Sequence, residues 1–230
     1  MFTGDYMIGI IVAEEKELNA VKNIMKDIEE INIYEKTFYK GTIENKNIVV
    51  VKSNVGKVNS SRVCQILIDK FNPTLVINIG TAGSVNNKLD IGDVVVADKL
   101  VQYDFDVTPF GRKLGEIENI GEFIEVDKNL LNLFNNTNVI IGTIATGDKF
   151  IVNPEEKNNI KNIFNALCIE MEGASIAQVC FLDKVPFLVI RSITDKPDES
   201  SKIDFDTFLE SSSIKAANIL KEILRNIKDN

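Results

Sequence analysis

The stretch CIEMEGASIAQVCFLDKVPFLVIRSITD, Cys168 to Asp195, constrains the fold more than any other. A short apolar run, Ala166 to Ile169, passes through Glu170-Met171-Glu172-Gly173 into a segment of helical periodicity. A second apolar run, Pro186 to Ile193, ends in Thr194-Asp195. Strand, helix and strand in that order imply helices packed on a sheet. After Glu172 the apolar residues Ile176, Val179 and Cys180 recur at helical spacing, so Glu172 heads the inward stripe of its helix. A carboxylate taken out of water is costly unless it is hydrogen-bonded, paired or holding a ligand. A helix-start acid favoured by the helix dipole is the plainer account of any single Glu of this kind, so a functional reading depends on the other segments.

Those segments repeat the pattern. Met7 to Ala13 has strand length, and from Glu14 the apolar residues Leu18, Val21, Met25 and Ile28 predict a helix, with Glu17 pointing inward along Val21, Ile24 and Ile28. Thr37–Ile43 and Ile48–Ser53 read as a hairpin around Glu44-Asn45-Lys46-Asn47. Ser53-Asn54-Val55-Gly56-Lys57 leads into a helix carrying Val63, Ile66 and Leu67, and a Walker loop fails because Val51 stands where it needs Gly. Pro73 to Ile79 is an apolar strand expected to end in a turn, Gly80-Thr81-Ala82-Gly83-Ser84, whose small residues let a ligand approach the backbone. A tight turn after a strand explains the same residues equally well. Gly92–Val101 is a strand followed by an aromatic loop, Tyr103 to Gly111. Asn138–Ala145 is a strand ending in Thr146-Gly147-Asp148-Lys149-Phe150-Ile151, and Asn153-Pro154-Glu155 starts a helix. Phe205 to Ile227 is a long amphipathic helix with Ala216, Leu220, Ile223 and Ile227 on one face.

The order of elements predicts an α/β fold in three layers, a twisted mixed β-sheet flanked by helices, as a single domain over 1–230. Ligands in such sheets gather at the carboxyl ends of strands, where Glu17, Gly80-Thr81-Ala82-Gly83, Phe150-Ile151, Met171-Glu172 and Asp195 converge. The 26 basic and 34 acidic residues give a net charge of −8 with no basic cluster, which argues against nucleic acid. No apolar run reaches the roughly 20 residues of a membrane span, and the first residues lack a secretory signal, so a cytoplasmic location is expected. Cys64, Cys168 and Cys180 sit in apolar surroundings without CxxC spacing and read as reduced core residues. The chain has no histidine, which removes Ser-His-Asp and Cys-His chemistry and disfavours ordinary zinc sites. Acid–base work falls to Asp and Glu. At this point two readings stand open, a carboxylate-based enzyme acting on a small polar substrate and a binding module of the same fold.

The segments IGIIVAEEKEL, SNVGKVNS, INIGTAG, GDVVVAD, YDFDVTPFG, ATGDKFI, IEMEGASIAQVC, FLVIRSITD and DFDTFL, in this order, resemble the 5′-methylthioadenosine/S-adenosylhomocysteine nucleosidases of the purine nucleoside phosphorylase superfamily. The resemblance covers nearly the whole chain. It implies a nucleoside phosphorylase-like fold, a homodimer, and hydrolysis of the N-glycosidic bond of 5′-methylthioadenosine, S-adenosylhomocysteine and related 5′-deoxyadenosine substrates, with no metal or organic cofactor. By resemblance Glu17 activates water, Asp195 protonates adenine at N7 and Glu172 holds ribose hydroxyls. Phe150 stacks on adenine, Ile151 offers backbone hydrogen bonds to its edge, Met171 lies beside the ribose, and Thr81 and Arg191 stand near the attacking water. Ala82, Gly83 and Thr194 belong to the same matching segments. Val55, Val107, Phe110 and Phe205 match an apolar pocket for the 5′-thio substituent, with Val107 and Phe110 donated across the dimer.

The chain departs from the family pattern at Val12-Ala13-Glu14, where Gly-Ala-Met is usual. It also has Thr81 and Thr194 where Ser is common and Gly173 where Ala is common. Three rival readings accompany the resemblance. Phosphorolysis would need cations at the positions held by Ala13-Glu14-Glu15 and Asn78. A non-catalytic nucleoside-binding protein would be expected to lack Glu17 or Asp195. An aminodeoxyfutalosine-type nucleoside would keep the chemistry and change the substrate.

Overall fold

The computed structural model describes residues 7–197 and 201–227. Its strands are β1 (Met7–Val12), β2 (Lys26–Ile33), β3 (Lys36–Ile43), β4 (Lys46–Lys52), β5 (Leu75–Ser84), β6 (Val94–Gln102), β7 (Ile124–Glu125), β8 (Ile140–Thr146), β9 (Ala166–Glu170) and β10 (Phe187–Asp195). Its helices are α1 (Glu15–Lys22), α2 (Lys57–Phe71), α3 (Lys128–Leu131), α4 (Pro154–Phe164), α5 (Gly173–Asp183) and α6 (Ser201–Asn226). They flank one mixed sheet, as the order of elements predicts. β10 pairs with both β5 and β6, so β5, β10, β6, β8 and β9 close into a ring, and β1, β4, β3 and β2 extend from it. The pairings β1–β4, β1–β5, β5–β10, β6–β8 and β8–β9 are parallel, whereas β2–β3, β3–β4, β5–β9 and β6–β10 are antiparallel.

β10 is buried at every position, which is why FLVIRSITD reads as a continuous run rather than an alternation. α2 packs with α5, and α1 with α6. The sulfurs of Cys64 and Cys180 meet 3.7 Å apart in the contact between α2 and α5, and all three cysteines are free and buried. α4 starts where Asn153-Pro154 predicts: the Asn153 side chain accepts from the Glu155 and Glu156 N–H groups.

Three local expectations are corrected. The first helix stops at Lys22, and Lys26–Ile33 is the outermost strand instead. The spacing of Met25 and Ile28 imitates helical periodicity, but Asp27 takes a positive φ of 53° and Ile28 is 40% exposed. The charge-rich KDIEEINI suits an uncovered edge, where charges discourage pairing with another chain. The hairpin turn is shorter than expected, with Glu44 and Asn45 both at positive φ as in a two-residue turn. Residues 80–84 are not a turn: β5 runs straight through them. Gly80, Thr81, Ala82 and Gly83 pair with Arg191, Ser192, Ile193 and Asp195, and Gly83 and Ser84 pair with Ile169 and Cys168.

Candidate active site

The small residues of β5 make room for acids. A Cβ at Gly80 would lie 2.7 Å from Glu17 Oε1, and one at Gly83 would lie 2.8 Å from Asp195 Oδ2. Both are closer than real carbon atoms approach, so these two positions leave no place for a side chain.

Glu17 is the third residue of α1 and is buried beside the point where β1 ends. Its Oε2 accepts from the N–H groups of Ala13 (2.9 Å) and Glu14 (3.0 Å), and its Oε1 accepts from the Thr81 N–H (2.9 Å) and hydroxyl (3.2 Å). Burial pushes its pKa upward. The positive charge of Arg191 and the N–H groups of Glu14, Ala13 and Thr81 oppose that rise. A buried glutamate with a raised pKa is suited to take a proton from water near neutral pH.

Asp195 closes β10 on the other side of β5. Its Oδ2 accepts from Lys157 Nζ at 2.8 Å, and its Oδ1 accepts from the Thr194 hydroxyl at 3.0 Å. Thr194 therefore sits behind the acid; its hydroxyl also reaches the Ala82 carbonyl at 3.2 Å. Glu172, just before α5, accepts from the Gly56 N–H at 2.9 Å. Gly56 has φ 103°, a conformation open to glycine, and that geometry turns its N–H towards the carboxylate. The Glu172 carboxyl is pushed up to about 8, first by burial and then by the neighbouring Glu170, against the pull of Arg191.

These groups face a cavity of about 280 Å³ lined by Ala13, Glu14, Glu17, Val55, Thr81, Ala82, Gly83, Phe150, Ile169, Glu170, Met171, Glu172, Asp195 and Phe205. Phe150 and Phe205 meet edge to face at 5.6 Å, giving one side of the cavity an aromatic wall. Ile151, with Lys149 and Asp195, lines a small annex. At the rim, Asp148 accepts from the Lys57 N–H at 2.8 Å, and Asp104 accepts from the Asp148 N–H at 2.9 Å, tying three loops together.

Four positions named from the sequence lie elsewhere. Thr194 and Arg191 stand behind the cavity wall. Val107 and Phe110 line a separate surface pocket with Phe105 and Arg112, and Phe110 is 84% exposed. Arg191 is buried and donates to Glu170, to Asn78 Oδ1, and to the carbonyls of Ile190 (3.0 Å) and Asn78 (3.4 Å). Of the residues that depart from the family pattern, Glu14 reaches the cavity, whereas Val12 is a core residue of β1.

Two functional candidates escaped sequence reasoning. Glu170 accepts from Thr146, from Arg191, and from the Glu172 and Gly173 N–H groups at 3.0 and 2.7 Å, fixing the chain between β9 and α5. Lys157 is fully buried against Asp195. Its signal was present in the sequence: Lys157 shares the stripe of Ile160 and Phe164, which puts a cation on the inward face of α4.

The chain matches the phosphorylase superfamily over residues 7–225. A 5′-methylthioadenosine/S-adenosylhomocysteine nucleosidase of an Exiguobacterium species is 37% identical to it over 229 residues, 96% of this chain and 98% of that one. The chain belongs to that nucleosidase family. Among solved relatives of the family, an S-adenosylhomocysteine nucleosidase from Streptococcus pyogenes in complex with 5-methylthiotubericidin superposes with a TM-score of 0.94 at 36% identity, covering 99% of each chain. The futalosine hydrolase of Helicobacter pylori superposes with a TM-score of 0.92, also at 36% identity, covering 97% of this chain and 99% of that one. Among the described residues, no helix is long and apolar enough to cross a membrane, and no cluster of His, Cys, Asp and Glu has the arrangement of a metal site.

Proposed function

We propose that this chain hydrolyses the N-glycosidic bond of 5′-methylthioadenosine and S-adenosylhomocysteine, releasing adenine and a 5-thioribose. Cleavage places positive charge on the ribose ring and negative charge on the departing base, as in other oxocarbenium-like glycoside hydrolyses. Glu17 takes a proton from the attacking water, Asp195 gives one to adenine N7, and Glu172 holds the ribose hydroxyls. Phe150 and Ile151 recognise the base, Met171 packs beside the sugar, and Val55 and Phe205 receive the 5′ substituent. Thr81 orients Glu17, and Arg191 acts from behind the wall by holding Glu170.

The observation that carries hydrolysis over phosphorolysis is the lining of the main cavity. It contains Glu14, Glu17, Glu170, Glu172 and Asp195 and no Lys or Arg among the described residues. A phosphate dianion has nothing there to neutralise it. Asn78 is committed inside the sheet, its amide donating to the Ile11 carbonyl at 2.9 Å while its Oδ1 accepts from Arg191. Water is the nucleophile.

The same reading assigns a homodimer in which Val107 and Phe110, apolar and outside their own cavity, reach the site of the partner. A cytoplasmic setting fits an enzyme of small nucleosides with three reduced cysteines.

A second reading changes only the 5′ substituent. The futalosine hydrolase is as similar to this chain as the nucleosidases are, and a futalosine-type nucleoside would use the same acids. The deciding experiment measures adenine release from 5′-methylthioadenosine, S-adenosylhomocysteine and aminodeoxyfutalosine across a phosphate titration, with the sugar product identified. Free methylthioribose at a phosphate-independent rate is expected. A sugar 1-phosphate would overturn hydrolysis, and turnover of aminodeoxyfutalosine alone would replace the substrate.

A further inference from the structure

Lys157 poses a question that packing does not answer. None of its side chain is exposed, and its Nζ donates to Asp195 Oδ2 at 2.8 Å and to the Lys196 carbonyl at 2.9 Å. The stripe it shares with Ile160 and Phe164 would be served by Met or Leu, and replacing a buried ion pair by apolar residues is often neutral or stabilising. Fold stability therefore gives little reason for an ammonium here. Its place in the chain gives one: α4 begins three residues after Ile151, so Lys157 ties the segment that faces the base to the group that protonates it.

We propose that Lys157 is a positioning residue that holds the Asp195 carboxyl and balances the negative charge it acquires as the glycosidic bond breaks. The inference rests on the reading of Asp195 as the acid at N7. As the C1′–N9 bond breaks, its electron pair goes to the base. The proton of the Asp195 carboxyl goes to N7, and water adds to C1′ while its proton passes to Glu17. Asp195 is left as a carboxylate in a buried site, where an unpaired charge is expensive. Lys157 supplies the counter-charge at hydrogen-bond distance. Among the described residues it is the cation in contact with Asp195, while Arg191 serves Glu170 and lies 3.9 Å from Glu172. The two donors also fix the carboxyl plane, Thr194 holding Oδ1 and Lys157 holding Oδ2.

The test compares Lys157→Met, Lys157→Arg and Asp195→Asn on two substrates. One is 5′-methylthioadenosine. The other is the 5-methylthioriboside of 4-nitrophenol, whose leaving group departs as a stable anion and needs no proton. Lys157→Met is expected to lower kcat on the nucleoside by about 100-fold, with KM changed by less than about threefold. Lys157→Arg is expected to recover at least about a tenth of the wild-type rate. On the nitrophenyl riboside the Lys157→Met loss is expected to shrink below about fivefold. An equal loss on both substrates would show a purely structural lysine and overturn the proposal, as would wild-type turnover of the nucleoside by Lys157→Met. Failure of the underlying reading looks different, because Asp195→Asn would then turn over the nucleoside normally. Should Lys157→Met not remain folded on thermal melting, Lys157→Gln removes the charge while keeping a donor, and carries the same comparison.

Discussion

Arg191 and Glu170 meet as an ion pair with 1% and 2% of their side chains exposed, and the pair joins β10 to the end of β9. Breaking a buried pair leaves one charge without compensation, which costs about 3–5 kcal/mol. Arg191→Met is expected to lose stability of that order in urea unfolding. The variant also removes the positive charge that opposes the raised pKa of Glu17 and Glu172. Its residual activity should therefore shift to higher pH, since Glu17 in its proposed role must ionise to accept a proton.

Glu172 gives a pH signature in the ligand-free protein. Its folded carboxyl titrates near 8, against an ordinary value of 4.5. An acid whose pKa is raised by folding holds its proton longer in the folded state, so its contribution to stability is full below about 4.5 and is lost as pH rises through about 8. Melting temperatures of wild type and Glu172→Gln measured from pH 5 to pH 9 should diverge, with the wild type losing ground as pH rises. Parallel curves would mean that Glu172 is already ionised at low pH.

The roles proposed for Glu17 as base and Asp195 as acid separate by variant kinetics. Asp195→Asn is expected to abolish measurable turnover of 5′-methylthioadenosine while circular dichroism shows an intact fold, because Asn fits the same space and keeps an oxygen for Lys157. Glu17→Gln is expected to lose about 100- to 10,000-fold in kcat. Binding of a transition-state analogue should survive this change better than turnover, since the Thr81 donors can still reach the amide oxygen. Near-normal rates in either variant would displace that residue from its role.

Gly80→Ala tests whether β5 is built around Glu17. A Cβ there would stand 2.7 Å from Oε1 and 3.1 Å from the carboxyl carbon, so the carboxylate must move away from the Thr81 N–H. A fall in kcat of at least about tenfold is expected, with a smaller relative change in KM. Wild-type kinetics would show that the glycine serves strand pairing alone.

What the sequence revealed, it revealed through periodicity and strand ends. Glu17 and Glu172 stood out because each shares a helical stripe with apolar residues, and both are buried beside the cavity. The same rule misled at Met25 and Ile28, where helical spacing covers an edge strand, because intervals of three and four do not distinguish a continued helix from a chain that turns at Asp27. The Gly80–Ser84 segment was misread because small residues signal both turns and close approach; the pairing of β5 with β10 and β9 is a long-range fact that local composition does not contain. Lys157 was legible by the stripe rule yet overlooked, since a lysine among NPEEKNNIKNIF resembles one more surface charge. The roles of Arg191 and Asn78 depend on partners remote in the chain and become visible only in the folded protein.

The uninterrupted β5 has a stereochemical consequence. Glu17 lies against Gly80 and Thr81 beyond the end of β1, and Asp195 lies against Gly83 on the β10 side, so one strand stands between the proposed base and the proposed acid. Both carboxylates line the same cavity, reached from opposite sides of that one strand. Under the proposed roles, water delivered by Glu17 attacks from the face opposite the departing adenine, and inversion at the anomeric carbon is the expected outcome. Turnover in water containing methanol should trap the methyl riboside of inverted configuration, readable by proton NMR, and a retained product would mean that the nucleophile comes from the side of the leaving base.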